Sequence, residues 1–239
     1  MSLFDTHFHL DLQKDIHESL AEIDKNGIYT IIVTNLPDLF GKERNQYNSK
    51  FVRLALGLHP ELVSKYRNQI PMMWKFLSET KYIGEVGLDY SPGLDRTLQT
   101  NFFSDLIENC RNHKKIITIH SRKASHDVLN IIGKNFDFTP ILHWFSGPVS
   151  DLRLAIARGF YFSVNINMLH STNFMSKLDD IPQNRLLLET DSPFGGLGYT
   201  HKEALLEVVS GLALHYSISV SEMEKKLCNN FKQLLLKTL

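Results

Sequence analysis

The chain has 239 residues, of which 43% are hydrophobic and 22% charged, enough apolar material for a large core in a water-borne domain. Lysine plus arginine and aspartate plus glutamate number 26 each, so no global positive field recruits a polyanion and any nucleic-acid contact has to be local. The longest apolar runs, such as 54–58 and 140–145, are far too short to cross a bilayer, and the opening MSLFD has neither a basic n-region nor a long apolar h-region, so the expected compartment is the cytoplasm.

Along the chain, apolar β-rich segments recur at fairly even spacing: Leu3–His9, Thr30–Asn35, Val52–Leu58, Tyr82–Leu88, Ile116–His120, Pro140–Phe145, Tyr161–Ile166 and Leu186–Glu189. Amphipathic helical stripes separate most of them: Ile16, Leu20 and Ile23 stopped by Gly27, then Trp74 with Leu77, Leu98 with Phe102 and Leu106, and Val128 with Ile131. Strand and helix in alternation imply parallel pairing through right-handed crossovers. The economical closure is a single-domain α/β (β/α)8 TIM barrel over 1–239, with an open doubly wound sheet as the alternative. The segment Lys202 to Leu239 is expected to form two helices, the first covering the last strand and the second packing across the barrel's outside. Cys110 and Cys228 each lie in a helical apolar pattern and read as small core residues rather than a disulfide.

In a parallel barrel the reactive groups sit at the C-terminal ends of the strands. Strand one carries His7 and His9, which alternation turns to the same face. Strand three ends in GLHP with His59, strand four reads YIGEVGLDY with Glu85 in an apolar run, and strand five ends ITIHSR with His120. Strand six reads ILHWFSG with His143, and strand eight ends LLLETDSP with Asp191. A lone histidine or glutamate in such a place is usually a satisfied core group; His7, His9, Glu85, His120, His143 and Asp191 together are hard to attribute to chance. Four imidazoles and two carboxylates exceed what one tetrahedral site with an open position needs, so two metals are the natural reading. A glutamate can bridge two ions through its two oxygens. Glu85, flanked by Gly84 and Gly87 that admit close neighbours, is the choice for the bridge. Two such ions bind an attacking water and a phosphoryl oxygen together, which is hydrolase chemistry.

With these residues in hand, the sequence resembles the TatD family of metal-dependent deoxyribonucleases, within the amidohydrolase-like barrel superfamily. The resemblance runs nearly end to end and rests on DTHFHL, GLHP, GEVGLDY, IHSRKA, HWFSG and LLLETDSPF in order, with a late helical stretch containing Asn230–Phe231. It implies that His7, His9, Glu85 and Asp191 hold one divalent ion and Glu85, His120 and His143 the other, with His59 near the substrate phosphate. The metal itself, Mg2+, Mn2+ or Zn2+, stays open. Two departures stand out. The segment GGLGYTHKEAL is shorter than the loop relatives carry, so Gly195–Thr200 is expected to leave the mouth open. Trp144 replaces a small residue, and alternation turns it away from His143, so it is expected to pack between barrel and helices rather than stack a base.

Asp191 is assigned a double role, metal ligand and general base toward the attacking water. Glu189, two residues earlier and deeper, reads as a carboxylate that orients a ligand histidine, or simply as a hydrogen-bonded core group. His59 is a candidate to contact the phosphate or protonate the leaving oxygen, or a loop histidine before Pro60. Arg122 is a candidate for a non-bridging phosphate oxygen, or merely solvated. Asp89 and Tyr90 read equally either way, and His17, His113, His126, His170, His201 and His215 fall away from the set. The expected function is metal-dependent hydrolysis of DNA phosphodiesters, on single strands or ends, since a neutral chain has little means to grip a long duplex. Two alternatives remain: hydrolysis of a small amide, lactone or phosphoester, and a nuclease subunit that depends on protein partners in a larger complex, as some short relatives in phage-defence systems do.

Overall fold

The structure is a computed structural model and describes residues 3–238. Eight strands alternate with helices: β1 (Phe4–Phe8), α1 (Ile16–Asn26), β2 (Tyr29–Val33), α2 (Pro37–Glu43), β3 (Val52–Ala55), α3 (Ile70–Phe76), β4 (Tyr82–Gly87), α4 (Arg96–Cys110) and β5 (Ile116–His120). The second half continues with α5 (Ser125–Ile132), β6 (Thr139–His143), α6 (Val149–Ala157), β7 (Tyr161–Val164), the short α7 (Ile166–Leu169) and α8 (Thr172–Met175), β8 (Leu186–Leu188), α9 (His201–His215) and α10 (Val220–Leu236). Each expected strand is present, trimmed by up to three residues where the apolar run continues past the ladder, as at β3, which stops at Ala55. The helix ends have local causes. The Asp15 side chain accepts from Glu18 N at the start of α1, Gly27 in the left-handed conformation ends it, and a reciprocal Thr200–Glu203 capping box opens α9.

Every pairing is parallel, in the order β1-β2-β3 and β4-β5-β6-β7-β8. Two seams join these blocks. Leu56, just past β3, bridges Ile83 of β4, and Gly84 N donates to Leu56 O at 2.9 Å. At the other seam Thr6 Oγ1 donates to Leu188 O at 2.9 Å, and Asp191 N donates to His7 O at 2.9 Å. The sheet therefore closes on itself as a TIM barrel, and the open-sheet alternative falls because neither edge is left free.

Alternation along β1 is readable in its packing. Phe8 buries with Ile23 and Ile32 beneath α1, against the Ile16 and Leu20 stripe, which leaves His7 and His9 to the interior. The expectation for the last helix needs correction. α10 does not lie along the barrel's outside; it closes the end where the strands begin. Phe231 stacks on Phe4 with ring centroids 4.3 Å apart and meets Tyr29 edge-on, and Asn230 Nδ2 donates to Gln183 O and Leu186 O at 2.7 and 2.9 Å. Phe4, Tyr29 and Leu186 are first residues of their strands, so the apolar face of α10 is spent on the barrel floor. Cys110 is buried as expected, whereas Cys228 is only partly buried; both are free thiols.

Because Asn230 satisfies the carbonyls of Gln183, in the turn before β8, and of Leu186, its first residue, Asn230→Ala should cost about 1–3 kcal/mol of unfolding free energy, measured by chemical denaturation, with the far-UV spectrum of the folded state unchanged. A loss below about 0.5 kcal/mol, the range of an inert surface change, would show that α10 does not fasten β8.

Candidate metal centre

The C-terminal strand ends bring the six expected donors together around Glu85. This side chain is only 2% exposed, and its two oxygens face different partners. Oε2 lies 3.3 Å from His7 Nε2 and 3.4 Å from His9 Nε2, while Oε1 lies 2.7 Å from His120 Nδ1, 2.9 Å from His143 Nε2 and 3.4 Å from His59 Nε2. Asp191 completes the His7 and His9 side, with Oδ1 at 3.8 and 3.4 Å from their Nε2 atoms. The glycines beside Glu85 serve close approach: at φ 153° for Gly84 and 139° for Gly87, a Cβ would collide with Thr118 Oγ1 and with the His120 carbonyl oxygen respectively.

Burial and charge pull the titrating groups in different directions. For Glu85, burial opposes ionisation, but His59, His143 and His7 and the hydrogen bond with His120 prevail, and its carboxyl is held well below the usual range. Burial also opposes the charge of His9, yet Asp191 and Glu85 raise it to about 9. His143 is likewise held well above the ordinary imidazole value by Glu85 and Glu189. His7 goes the other way. Burial and the neighbouring charge of His143, whose ring stacks on it at 4.0 Å, lower it despite Glu85 and Asp191.

Several of these buried atoms have no hydrogen-bond partner: His7 Nδ1 and Nε2, His143 Nδ1 and Asp191 Oδ1. Buried polar atoms are normally satisfied, so orphaned nitrogen and oxygen donors gathered at one spot fit a divalent ion. Three donor groups lie close enough for one: His7, His9 and Glu85; His59, Glu85 and His120; and His7, His143 and Glu189.

Surrounding groups fix the donors. Asp89 Oδ2 lies 2.8 Å from His120 Nε2 and stays strongly acidic because its hydrogen bonds with His120 and Ser91 outweigh burial, so this ambiguous residue acts on a site histidine. Glu189, fully buried, lies 3.8 Å from His143 Nδ1, accepts from Trp144 N and Asn165 Nδ2 at 3.2 and 2.9 Å, and bonds Ser163 Oγ. His59 Nδ1 accepts from Glu61 N at 3.2 Å, which places the neutral ring's proton on Nε2. Arg122 is exposed on the cavity wall, and Tyr90 turns away to Asp127, donating at 2.6 Å.

Two readings are corrected. Trp144 does pack against the core, but with φ 39° it leaves the strand's alternation and also borders the mouth cavity. His201, set aside as background, is buried with Nε2 at 2.9 Å from Asp5 Oδ2. Asp5 also accepts from His7 N at 2.9 Å, Thr190 N at 3.2 Å and Thr190 Oγ1 at 2.5 Å, tying β1, the end of β8 and α9 beneath the site. The only sequence signal for this tie was an acid two residues before His7. The segment Gly195–Thr200 does not line the cavity; Phe194, just before it, does.

Over residues 4–236 the chain matches the family described as TatD related DNase, and it belongs to that family. An uncharacterized metal-dependent hydrolase of Buchnera aphidicola subsp. Baizongia pistaciae is 29% identical over 212 residues, 81% of this chain and 79% of the relative. The human protein named deoxyribonuclease TATDN3 is 25% identical over 81% of this chain and 78% of its own. In fold, a TatD family hydrolase from Entamoeba histolytica superposes with a TM-score of 0.77 at 18% identity, covering 97% of each chain. The family is one of metal-dependent hydrolases, and the buried donor clusters are able to bind metal.

The raised values of His9, His120 and His143 mean that the metal-free site carries protons near neutrality, which a metal must displace. Metal affinity should therefore strengthen as pH rises toward about 9, the value of His9, and weaken about tenfold per unit below it for each proton displaced. Calorimetry in buffers of different ionisation heat reads both the affinity and the protons released. An affinity independent of pH over this window would mean that the imidazoles are already deprotonated.

Proposed function

We propose that the chain is a two-metal phosphodiesterase that hydrolyses DNA on single strands or at strand ends. The supporting observation is the division of Glu85, one oxygen toward His7 and His9 and the other toward His120, His143 and His59. On this reading His7, His9, Glu85 and Asp191 hold one divalent ion, Glu85, His120 and His143 hold the second, and Glu189 steadies the ring of His143. The bound ions, Mg2+, Mn2+ or Zn2+, would supply Lewis-acid polarisation of a phosphoryl oxygen and a lowered pKa for the attacking water.

The chain's own residues supply the rest. Asp191 Oδ1, buried and without a hydrogen-bond partner, takes the proton of the attacking water as general base. His59, with Nδ1 committed to Glu61 N, presents its Nε2–H to donate a hydrogen bond to a phosphate oxygen. Arg122 reaches a non-bridging phosphate oxygen from the opposite wall, where a guanidinium can bond it in bidentate fashion. The human relative's name, deoxyribonuclease, supports DNA as the substrate.

Glu85→Gln keeps the size and removes the charge that offsets two dications. Metal content per chain should drop, and hydrolysis should fall by several orders of magnitude, with the fold retained. Metal analysis, melting temperature and a metal-supplemented assay on labelled single-stranded DNA, duplex DNA, RNA and small phosphodiesters are to be run on one preparation. Unchanged metal content with near-normal hydrolysis would sink the bridging role and most of this mechanism. A preference for RNA or for small phosphodiesters would move the substrate assignment and leave the metal chemistry in place.

A further inference from the structure

The mouth opens on a cavity of about 760 Å³ whose two sides differ in chemistry. Four consecutive connections around the barrel, those after β8, β1, β2 and β3, contribute Phe194, Leu12, Leu36, Leu39 from the first turn of α2, and Leu62 to its lining. Together they make an apolar crescent. The opposite wall, after β5 and β6, is built from Ser121, Arg122, Trp144 and Ser146. Arg122 is the only arginine or lysine among the lining residues, and the crescent side carries the acids Asp11 and Glu61.

A sugar-phosphate backbone cannot lie along the crescent, where it would meet leucine and carboxylate. It belongs on the Arg122 side, where one guanidinium suits one phosphate. A flat group with apolar faces suits the leucines, and the unpaired base next to the scissile phosphate is such a group. Phe194, whose ring meets His9 edge-on with centroids 5.5 Å apart, is 56% exposed, so part of its surface is free at the site's edge. The crescent has little with which to read base identity, since the amide nitrogen of Asn35 is engaged with His9 Nδ1 and Asp11 at 3.3 and 3.2 Å.

We infer that the crescent of Leu12, Leu36, Leu39, Leu62 and Phe194 is a nucleobase subsite. It takes one unpaired base of a short phosphodiester, a dinucleotide or a strand end, with little discrimination among bases. A paired base is held in its stack and cannot enter a concave wall, and a single cation cannot hold the several phosphates of a duplex. This inference rests on the phosphodiesterase reading of the same mouth.

The test uses the metal-loaded chain with thymidylyl-thymidine, the two analogues in which one nucleoside is abasic, and the Leu36→Asn and Leu39→Asn variants. Leu12→Asn, at a side chain 43% exposed, is the variant least able to disturb folding. Loss of one base should raise KM about tenfold or more with a smaller change in kcat, as expected for a lost base contact. The variants should raise KM for the dinucleotide and leave it unchanged for that abasic analogue. Calorimetry supplies a readout free of turnover: thymidine 5′-monophosphate should bind about tenfold tighter than deoxyribose 5-phosphate, and the gap should close in the variants. Hydrolysis of all three substrates with the same KM, or faster hydrolysis of duplex than of single strands, overturns the subsite and spares the phosphodiesterase. No hydrolysis together with equal binding of the two monophosphates overturns both, whereas no hydrolysis with the binding gap intact supports the subsite and overturns the reaction.

Discussion

A carboxylate buried among imidazoles is the constraint from which the rest of the site follows. Glu85 can stay ionised at 2% exposure only because positive or hydrogen-bonding groups meet both of its oxygens. Those groups must come from several strands, since one strand end has no room for five rings, and a barrel is the fold that points many strand ends at one spot. Removing one imidazole leaves the others arranged; removing the carboxylate leaves a cluster of mutually repelling rings. The opposite directions of His7 and His143, stacked at 4.0 Å, express the same constraint, because two faces in contact cannot both carry a full charge cheaply.

Holding such a cluster requires rigidity beneath it, and the structure places this in two tiers. Directly below the donors, Asp5 accepts from His7 N, Thr190 N and Thr190 Oγ1 and meets His201, so β1, the approach to Asp191 and α9 share one buried anchor. That anchor spans the seam where the barrel closes, the one place where first and last strands must be held in register. At the far end α10 seals the floor through Phe231 and Asn230. The floor is sealed by apolar packing, while the donor cluster at the mouth gathers buried polar atoms without hydrogen-bond partners. The positive φ of Trp144 and of Asp191, 39° and 51°, falls at the mouth, where a packed floor can support local strain.

The division between what was legible in the sequence and what was not is a physical one. Strands and donors were readable because a barrel writes them locally, as β-rich apolar runs with a polar residue at the end. The α1 helix was readable from its stripe and from Gly27. The position of α10 was not, because an amphipathic face says that it is covered and not by which end of the barrel. Trp144 escaped because alternation assumes extended backbone, and the strand ends one residue before it. Asp89 was ambiguous because a carboxylate after a strand is common; its distance to His120 decides it. Asp5 and His201 lie 196 positions apart, and no local pattern announces such a pair.

The overall neutrality of the chain acquires a local meaning at the mouth. Among the cavity-lining residues Asp11, Glu61, Glu85 and Asp191 stand against Arg122 alone, with the imidazoles as the adjustable remainder. With no metal bound, the raised imidazoles His9, His120 and His143 offset these carboxylates, so on the proposed reading the charge an anionic substrate meets depends on what the imidazoles and carboxylates hold between them. An enzyme that grips its polymer with lysines keeps its affinity when the catalytic centre is empty. On the proposed phosphodiesterase reading, binding and chemistry draw on the same few groups, and the apolar crescent supplies the part of affinity that charge does not.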